Sequence, residues 1–231
     1  MNQEFLKNLI AQKGLEESLL ALSESISGRI VFSTSFSIED QAITHAILSQ
    51  NIKNIEIFTL DTGRFFAETY QVWDRTVKKY NFPIIPYYPN HQKIENYVAT
   101  KGINAFYESV DLRKECCFIR KVEPLKRALQ SAKLWITGIR AEHSANRSQT
   151  ERIEWDENNQ IFKYNPLLQW TTQEVQDYIK THTIPYNVLQ DKGFLSIGCQ
   201  PCTRAIQEGE DFRAGRWWWE DSTKKECGLH R

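Results

Sequence analysis

The sequence is short of several features that would assign a role at once. It has no surplus of charge: 29 lysines and arginines face 29 aspartates and glutamates. A neutral chain is not a general polyanion binder, so nucleic acid is not an expected partner, and any anion site must come from local clustering of Arg and Lys. No apolar run approaches the ~18 residues of a membrane span, and no basic-then-apolar start resembles a signal peptide. No membrane partner is therefore expected, and the expected setting is the cytoplasm. The phosphate-cradling patterns GxxxxGK(S/T) and GxGxxG are both missing, as are internal repeats and low-complexity tracts. Cysteine is scarce and odd in number, at five. In a chain without a signal this argues against a disulfide framework and for metal or redox use.

What is present suffices for a full core, with 41% hydrophobic and 25% charged residues. The length suits one α/β domain with an appended segment: a nucleotide-binding domain over 1–197 and a C-terminal segment over 198–231, both in one structural unit. Apolar residues at helical spacing predict helices over 3–26, broken near Gly14. RIVF (29–32), IEIFTL (55–60), FPIIPYY (82–88), LWIT (134–137) and the stretch 161–168 read as strands or extended chain. Ser37 caps a helix running to Leu48, and helices are expected over 65–80, over 91–108 and from Glu123, with Pro124 in its first turn. Residues 141–160 read as polar loop. Thr171 and Glu174 form a capping box that opens a helix to about Lys180. Strands alternating with helices imply a parallel, doubly wound sheet, whose ligands bind at the carboxyl ends of the strands. Three polar loops would lie there: 33–37, 61–64 and 138–147.

Four cysteines fall into two pairs, Cys116-Cys117 and Cys199-x-x-Cys202. A Cys-x-x-Cys sets two thiolates on one turn, and an adjacent pair must bend so that both sulfurs face one way. Four thiolates suit zinc or an iron–sulfur cluster; zinc ligands are commonly spaced by about two to four residues, so the vicinal pair favours the roomier cluster. Cys227 stands apart, among Lys224, Lys225, His230 and Arg231, cations that favour a thiolate, with Glu226 opposing them. It reads as a nucleophile or redox group on a tail anchored at one end and mobile after about Glu220. Arg213 and Arg216, between the second pair and Cys227, read as an anion site, and Trp217-Trp218-Trp219 as an apolar anchor. The serines of 33–37 read as helix caps that could also donate to an anion at a helix N-terminus.

In order along the chain, STSFSIED (33–40), LDTGR (60–64), KECCFIRK (114–121), TGIR (137–140) and the whole segment 198–231, with its ECGLH ending, resemble the assimilatory sulfonucleotide reductases, specifically the bacterial-type adenylylsulfate (APS) reductases. The resemblance implies an adenine-nucleotide α-hydrolase-like fold with a C-terminal cluster-binding and catalytic tail. It implies a [4Fe–4S] cluster on Cys116, Cys117, Cys199 and Cys202. It also implies a reaction in two steps: Cys227 attacks the sulfur of APS, expelling AMP, and thioredoxin or a glutaredoxin-like dithiol then releases sulfite from the S-sulfocysteine.

By motif position, Ser33, Ser35 and Leu60 match residues lining the nucleotide pocket, and Lys121, Arg147, Arg213, Arg216 and His230 match contacts to the phosphosulfate. Because thiol exchange moves two electrons at once, the cluster need carry none, and its implied role is structural or electrostatic, through Lys121. The 141–147 loop departs from the family's arginine-rich version. The near rival is the cluster-free class that reduces the 3′-phosphorylated substrate, PAPS, and lacks these four cysteines. More distant rivals are a tRNA-thiolating enzyme of the same superfamily, which wants a different pyrophosphate loop and a basic surface, and an iron–sulfur or zinc regulator. Nothing in the sequence opposes a homo-oligomer.

Overall fold

A computed structural model describes residues 1–143 and 150–220 of the chain. Their elements in chain order are α1 (Gln3–Ile10), α2 (Leu15–Ser25), β1 (Arg29–Thr34), α3 (Ile38–Ser49), β2 (Ile55–Leu60), α4 (Ala67–Tyr80), β3 (Ile85–Tyr87), α5 (His91–Lys101), α6 (Val110–Cys117), α7 (Glu123–Ala128), β4 (Ala132–Ile136), β5 (Ile153–Asp156), β6 (Ile161–Tyr164) and α8 (Thr172–Thr181). The chain divides into two compact units. The first takes Met1–Thr59, Glu68–Ile85 and Ser131–Val188; the second takes Leu60–Ala67, Pro86–Gln130 and the described residues from Leu189 onward. Residues 198–220 thus join Leu60–Ala67, which the sequence does not visibly group with them, and Pro86–Gln130, to which the two cysteine pairs already tie them. Among the described residues no helix is long and apolar enough to cross a membrane.

The sheet runs in the order β3-β2-β1-β4-β6-β5. β1 pairs in parallel with β2, Ile30 opposite Ile55 and Phe32 opposite Ile57, and with β4, Phe32 opposite Ile136. β4 and β6 are also parallel. Ile30, Val31, Phe32 and Leu134, Trp135, Ile136 are buried on both faces, the pattern of a parallel sheet covered on two sides. The mostly parallel α/β expectation holds with one departure: β5 lies inside the stretch 141–160 read as polar loop and returns antiparallel on β6, Trp155 opposite Phe162. The strand order reverses between β1 and β4, and such a switch point opens a crevice at the carboxyl ends of the two strands.

Local signals explain the helix ends. The Ser37 side chain accepts from the Asp40 N–H at 3.2 Å and starts α3. Thr171 and Glu174 form the expected reciprocal box at α8. In the second unit the helix expected from Glu123 is α7, and ahead of it Cys116-Cys117 lies in a helix that the sequence does not mark. The pair ends α6, which Ser109 caps, and a π-helical turn over Phe118–Val122 carries the chain into α7 with Pro124 in its first turn. The hydrophobic core of this unit is Tyr97, Ala105, Phe106, Ile119 and Trp217 together with Cys116, Cys199 and Cys202. Three of its eight members are cysteines, so the cysteine-bearing turns are themselves part of the packing.

Candidate active site

The second unit brings both cysteine pairs together. Cys116 and Cys117, at the end of α6, and Cys199 and Cys202, flanking the 3-10 turn Gln200–Cys202, line one pocket with Arg64, Phe106, Arg113, Arg120, Lys121 and Pro201. No disulfide joins the described cysteines. Among the described residues no group of three or more His, Cys, Asp or Glu side chains is arranged to hold a metal ion. Arg120 donates to the Thr62 carbonyl at 2.6 Å, and the Thr62 hydroxyl lies 3.3 Å from the Cys199 sulfur. Arg64 is fixed by the Ile103 carbonyl at 2.6 Å and lies over the Phe106 ring.

The thiols differ in electrostatic setting. Burial pushes Cys202 up to about 12, with the neighbouring Cys199 adding to it, and burial raises Cys116 as well. Burial also opposes a Cys199 thiolate, but Lys121, the Thr62 hydroxyl, Arg216 and Arg120 together outweigh it and lower that thiol. Three cations and a hydroxyl thus favour one sulfur over its neighbours. Lys121 sits in the π-helical turn and lines the pocket directly.

From Cys202 the chain doubles back on itself. Thr203 and Arg216 form an antiparallel bridge, Arg204 N–H donates to the Gly215 carbonyl at 3.0 Å, and Trp217 N–H to the Cys202 carbonyl at 3.2 Å. Gly215 is required here, since a side-chain carbon would stand 2.3 Å from the Arg204 carbonyl oxygen. Trp217 is fully buried, and the guanidinium carbons of Arg113, Arg216 and Arg213 lie 4.6, 4.7 and 6.0 Å from its ring centre. The tryptophan run is therefore an apolar anchor at Trp217 and, through Trp219 on Phe106 and Tyr107, at a second point, while Trp218 is exposed. Trp217 also carries a cation-stacking role that its sequence context does not reveal. Arg216 is 7% exposed, and its Nε has no hydrogen-bond partner. Leu60, at the end of β2, opens this unit.

Ser33 and Ser35 belong to the first unit, at the exit of β1. The Ser33 hydroxyl accepts from the Trp135 indole at 2.9 Å. Ser35 donates twice to one oxygen of buried Asp40, from its N–H at 2.6 Å and its hydroxyl at 2.7 Å. Phe36, the next residue, takes a left-handed φ of 60° and stacks on Trp73. The other Asp40 oxygen lies against Gly138, at the exit of β4, where a side-chain carbon would stand 2.2 Å from it. Next to it, buried Glu39 pairs with buried Arg140 at 3.1 Å. The two loops at the switch point are thus fastened to the first turn of α3. The sequence marks these loops as polar, but does not single out Asp40 or Arg140 as their fasteners. Arg147, Cys227 and His230, and the tail after Glu220, lie outside the described residues.

A nucleotide-type α/β unit combined with a unit carrying a four-cysteine pocket defines a class. Residues 29–205 match the model of the phosphoadenosine phosphosulfate reductase domain, and the chain belongs to that enzyme family. Within it the chain is 50% identical, over 93% of its length and 85% of the relative's, to an adenosine 5′-phosphosulfate reductase of Burkholderia cepacia. A crystal structure of phosphoadenylyl-sulfate (PAPS) reductase from Candida auris, in complex with phosphate, superposes with a TM-score of 0.73 at 26% identity, covering 89% of this chain and 98% of that one. Yeast FAD synthetase, at 14% identity and a TM-score of 0.56 over 87% of this chain and 64% of that one, shares the fold.

Proposed function

We propose that this chain reduces adenosine 5′-phosphosulfate to sulfite and AMP in assimilatory sulfate reduction, using a thioredoxin-like dithiol. The observation that carries the reading is the four-cysteine pocket ringed by Arg64, Arg113, Arg120 and Lys121, in a chain half identical to a reductase named for that substrate. Cys116, Cys117, Cys199 and Cys202 would hold a [4Fe–4S] cluster. The fit rests on the donor set, four soft thiols on one pocket, and on the cations that would offset its negative charge. The buried Nε of lining residue Arg120 has no partner, as suits a donor facing an acceptor of that kind. When bound, such a cluster supplies a rigid, charged anchor for the residues around it.

In the proposed reaction the loops of Ser33, Ser35 and Leu60 hold the nucleotide, and Lys121, Arg147, Arg213, Arg216 and His230 hold the phosphosulfate. Several cationic donors suit a doubly charged group. The Cys227 thiolate attacks the sulfur, an S–S bond forms, the sulfur–oxygen bond to phosphate breaks, and AMP leaves with the bonding pair. A thiolate of the dithiol then attacks the Cys227 sulfur and releases sulfite. Its second thiol resolves the mixed disulfide, returning Cys227 as a thiolate and leaving the dithiol oxidised by two electrons. PAPS is the second reading, kept by the likeness to the Candida auris protein.

The test is thioredoxin-dependent sulfite release from APS and PAPS side by side, with Cys227→Ser as control. APS should be preferred, and the variant should release no sulfite yet keep the visible cluster absorbance. Preference for PAPS, or full activity without Cys227, would overturn the reading.

A further inference from the structure

Among the described residues of the second unit Arg113 is the largest charged side chain wholly enclosed, at 1% exposure, and the proposed reaction uses it only as one of the cations around the pocket. It sits on α6 four residues before Cys117, so both lie on one helix face. Its planar head meets three groups. It forms a two-pronged pair with Glu220, Nε to Oε1 at 2.8 Å and Nη2 to Oε2 at 2.7 Å, and the Glu220 side chain is itself 3% exposed. It lies 4.6 Å from the centre of the Trp217 ring. It also faces the Cys117 thiol. The buried, two-pronged pair with Glu220 offsets the burial of its charge.

Trp217 is the hub that joins Arg113 to the other arginines. Its φ of +42° is left-handed, a region that a bulky side chain occupies only where its surroundings compel it. The compulsion comes from both cysteine pairs: the Cys202 carbonyl takes the Trp217 N–H, and Arg113, beside Cys117, stacks on the ring. The Glu220 N–H closes the turn on the Trp217 carbonyl at 2.9 Å. Arg216 lies 4.7 Å from the same ring and fills the space where a side chain on Gly198 would stand, 2.3 Å from its Nη2. Arg213 is the third cation on the ring.

An apolar pair could fill the volume of Arg113 and Glu220 with equal stability. What it could not supply is a flat, charged head that fixes a thiol, a ring and a carboxylate at once. We infer that Arg113 is a positioning residue that ties the four-cysteine pocket to the placement of Arg216 and Arg213, so that an occupied pocket sets the affinity for the phosphosulfate group. This inference rests on the proposed function. It gives the cluster a task that needs no electron transfer and that runs through α6 and the tryptophan.

The experiment uses anaerobically purified holoenzyme carrying Cys227→Ser, which should bind APS without turning it over. Calorimetry reads the Kd for APS, and iron content with visible absorbance reads the cluster. Arg113→Lys keeps the charge and removes the fork; Kd should rise about tenfold or more with iron and absorbance unchanged. In an Arg216→Ala background the same change should shift Kd less than about twofold, because the residue it acts through is gone. An unchanged Kd, an equal factor in both backgrounds, or a loss of affinity that only tracks lost iron would overturn the inference. Should Arg113→Lys fail to accumulate folded, Glu220→Gln is read by the same criteria. A Cys227→Ser protein that does not bind APS at all counts against the proposed function; one that binds it and ignores Arg113→Lys counts only against this inference.

Discussion

Asp40→Asn separates charge from shape at the exit of β1. Burial is the strongest influence on this carboxyl and raises it. The N–H and hydroxyl of Ser35 hold it down, Glu39 pushes it up again, Ser37 lowers it, and the balance is about 6 against an ordinary 3.8. A carboxyl raised in the folded state stabilises the fold while protonated. Its contribution is complete below about pH 4 and is lost as the pH rises through about 6. The rise from 3.8 to about 6 amounts to ~3 kcal/mol in full, roughly half of which falls between pH 8 and pH 5. Asparagine has nearly the same shape and does not titrate. The unfolding free energy of the parent, minus that of Asp40→Asn, should therefore grow by ~1–2 kcal/mol in the parent's favour on going from pH 8 to pH 5. Urea denaturation followed by tryptophan fluorescence at the two pH values measures it. A difference that stays constant refutes the reasoning, because the carboxyl would then titrate alike in both states.

Gly138→Ala forces a carbon to within 2.2 Å of Asp40 Oδ1 and 3.3 Å of Glu39 Cβ. It should cost ~1–3 kcal/mol by overpacking, seen as a lowered Tm, and an unchanged Tm would mean that the α3 first turn yields freely. For the cluster, anaerobically purified protein should hold about four irons, and Cys199→Ser should reduce that number. Stoichiometric zinc in its place would overturn the cluster assignment.

What the sequence discloses follows from how local each signal is. Ser37 and the Thr171–Glu174 box act within four residues, and both caps stand where their spacing predicts. The cysteine pairs are readable because a ligand set is written in residue type as well as in shape, and all four do reach one pocket. α6 is hard to see because its buried residues are Arg113 and Cys116, so there is no apolar stripe for a periodicity to reveal. β5 is hidden by Glu154 and Asp156, which look like loop; both pair with Lys163 on β6, and the strand exists because that partner does. Arg113 finds Glu220 at a separation of 107 residues, and Asp40 meets Gly138 from another strand's exit. Such pairings are chosen by the fold, and composition or spacing alone does not announce them.

The bridge between Thr203 and Arg216 has a consequence for evolution and engineering. It closes the mouth of the loop 204–215 next to Cys202 at one end and Trp217 at the other, with the Arg204–Glu210 pair at 2.7 Å bracing the interior. Around Gly209, at φ +85°, no other atom lies within 4 Å of the space a side chain would take. Doubling a loop whose ends are already pinned costs only ~0.6 kcal/mol. Chain length at 208–209 is therefore nearly neutral, whereas a single residue added at either foot would shift a thiol or an arginine out of register. A peptide tag or fluorophore sequence can be grafted at that tip, and it would report on the 204–215 loop from outside the chemistry.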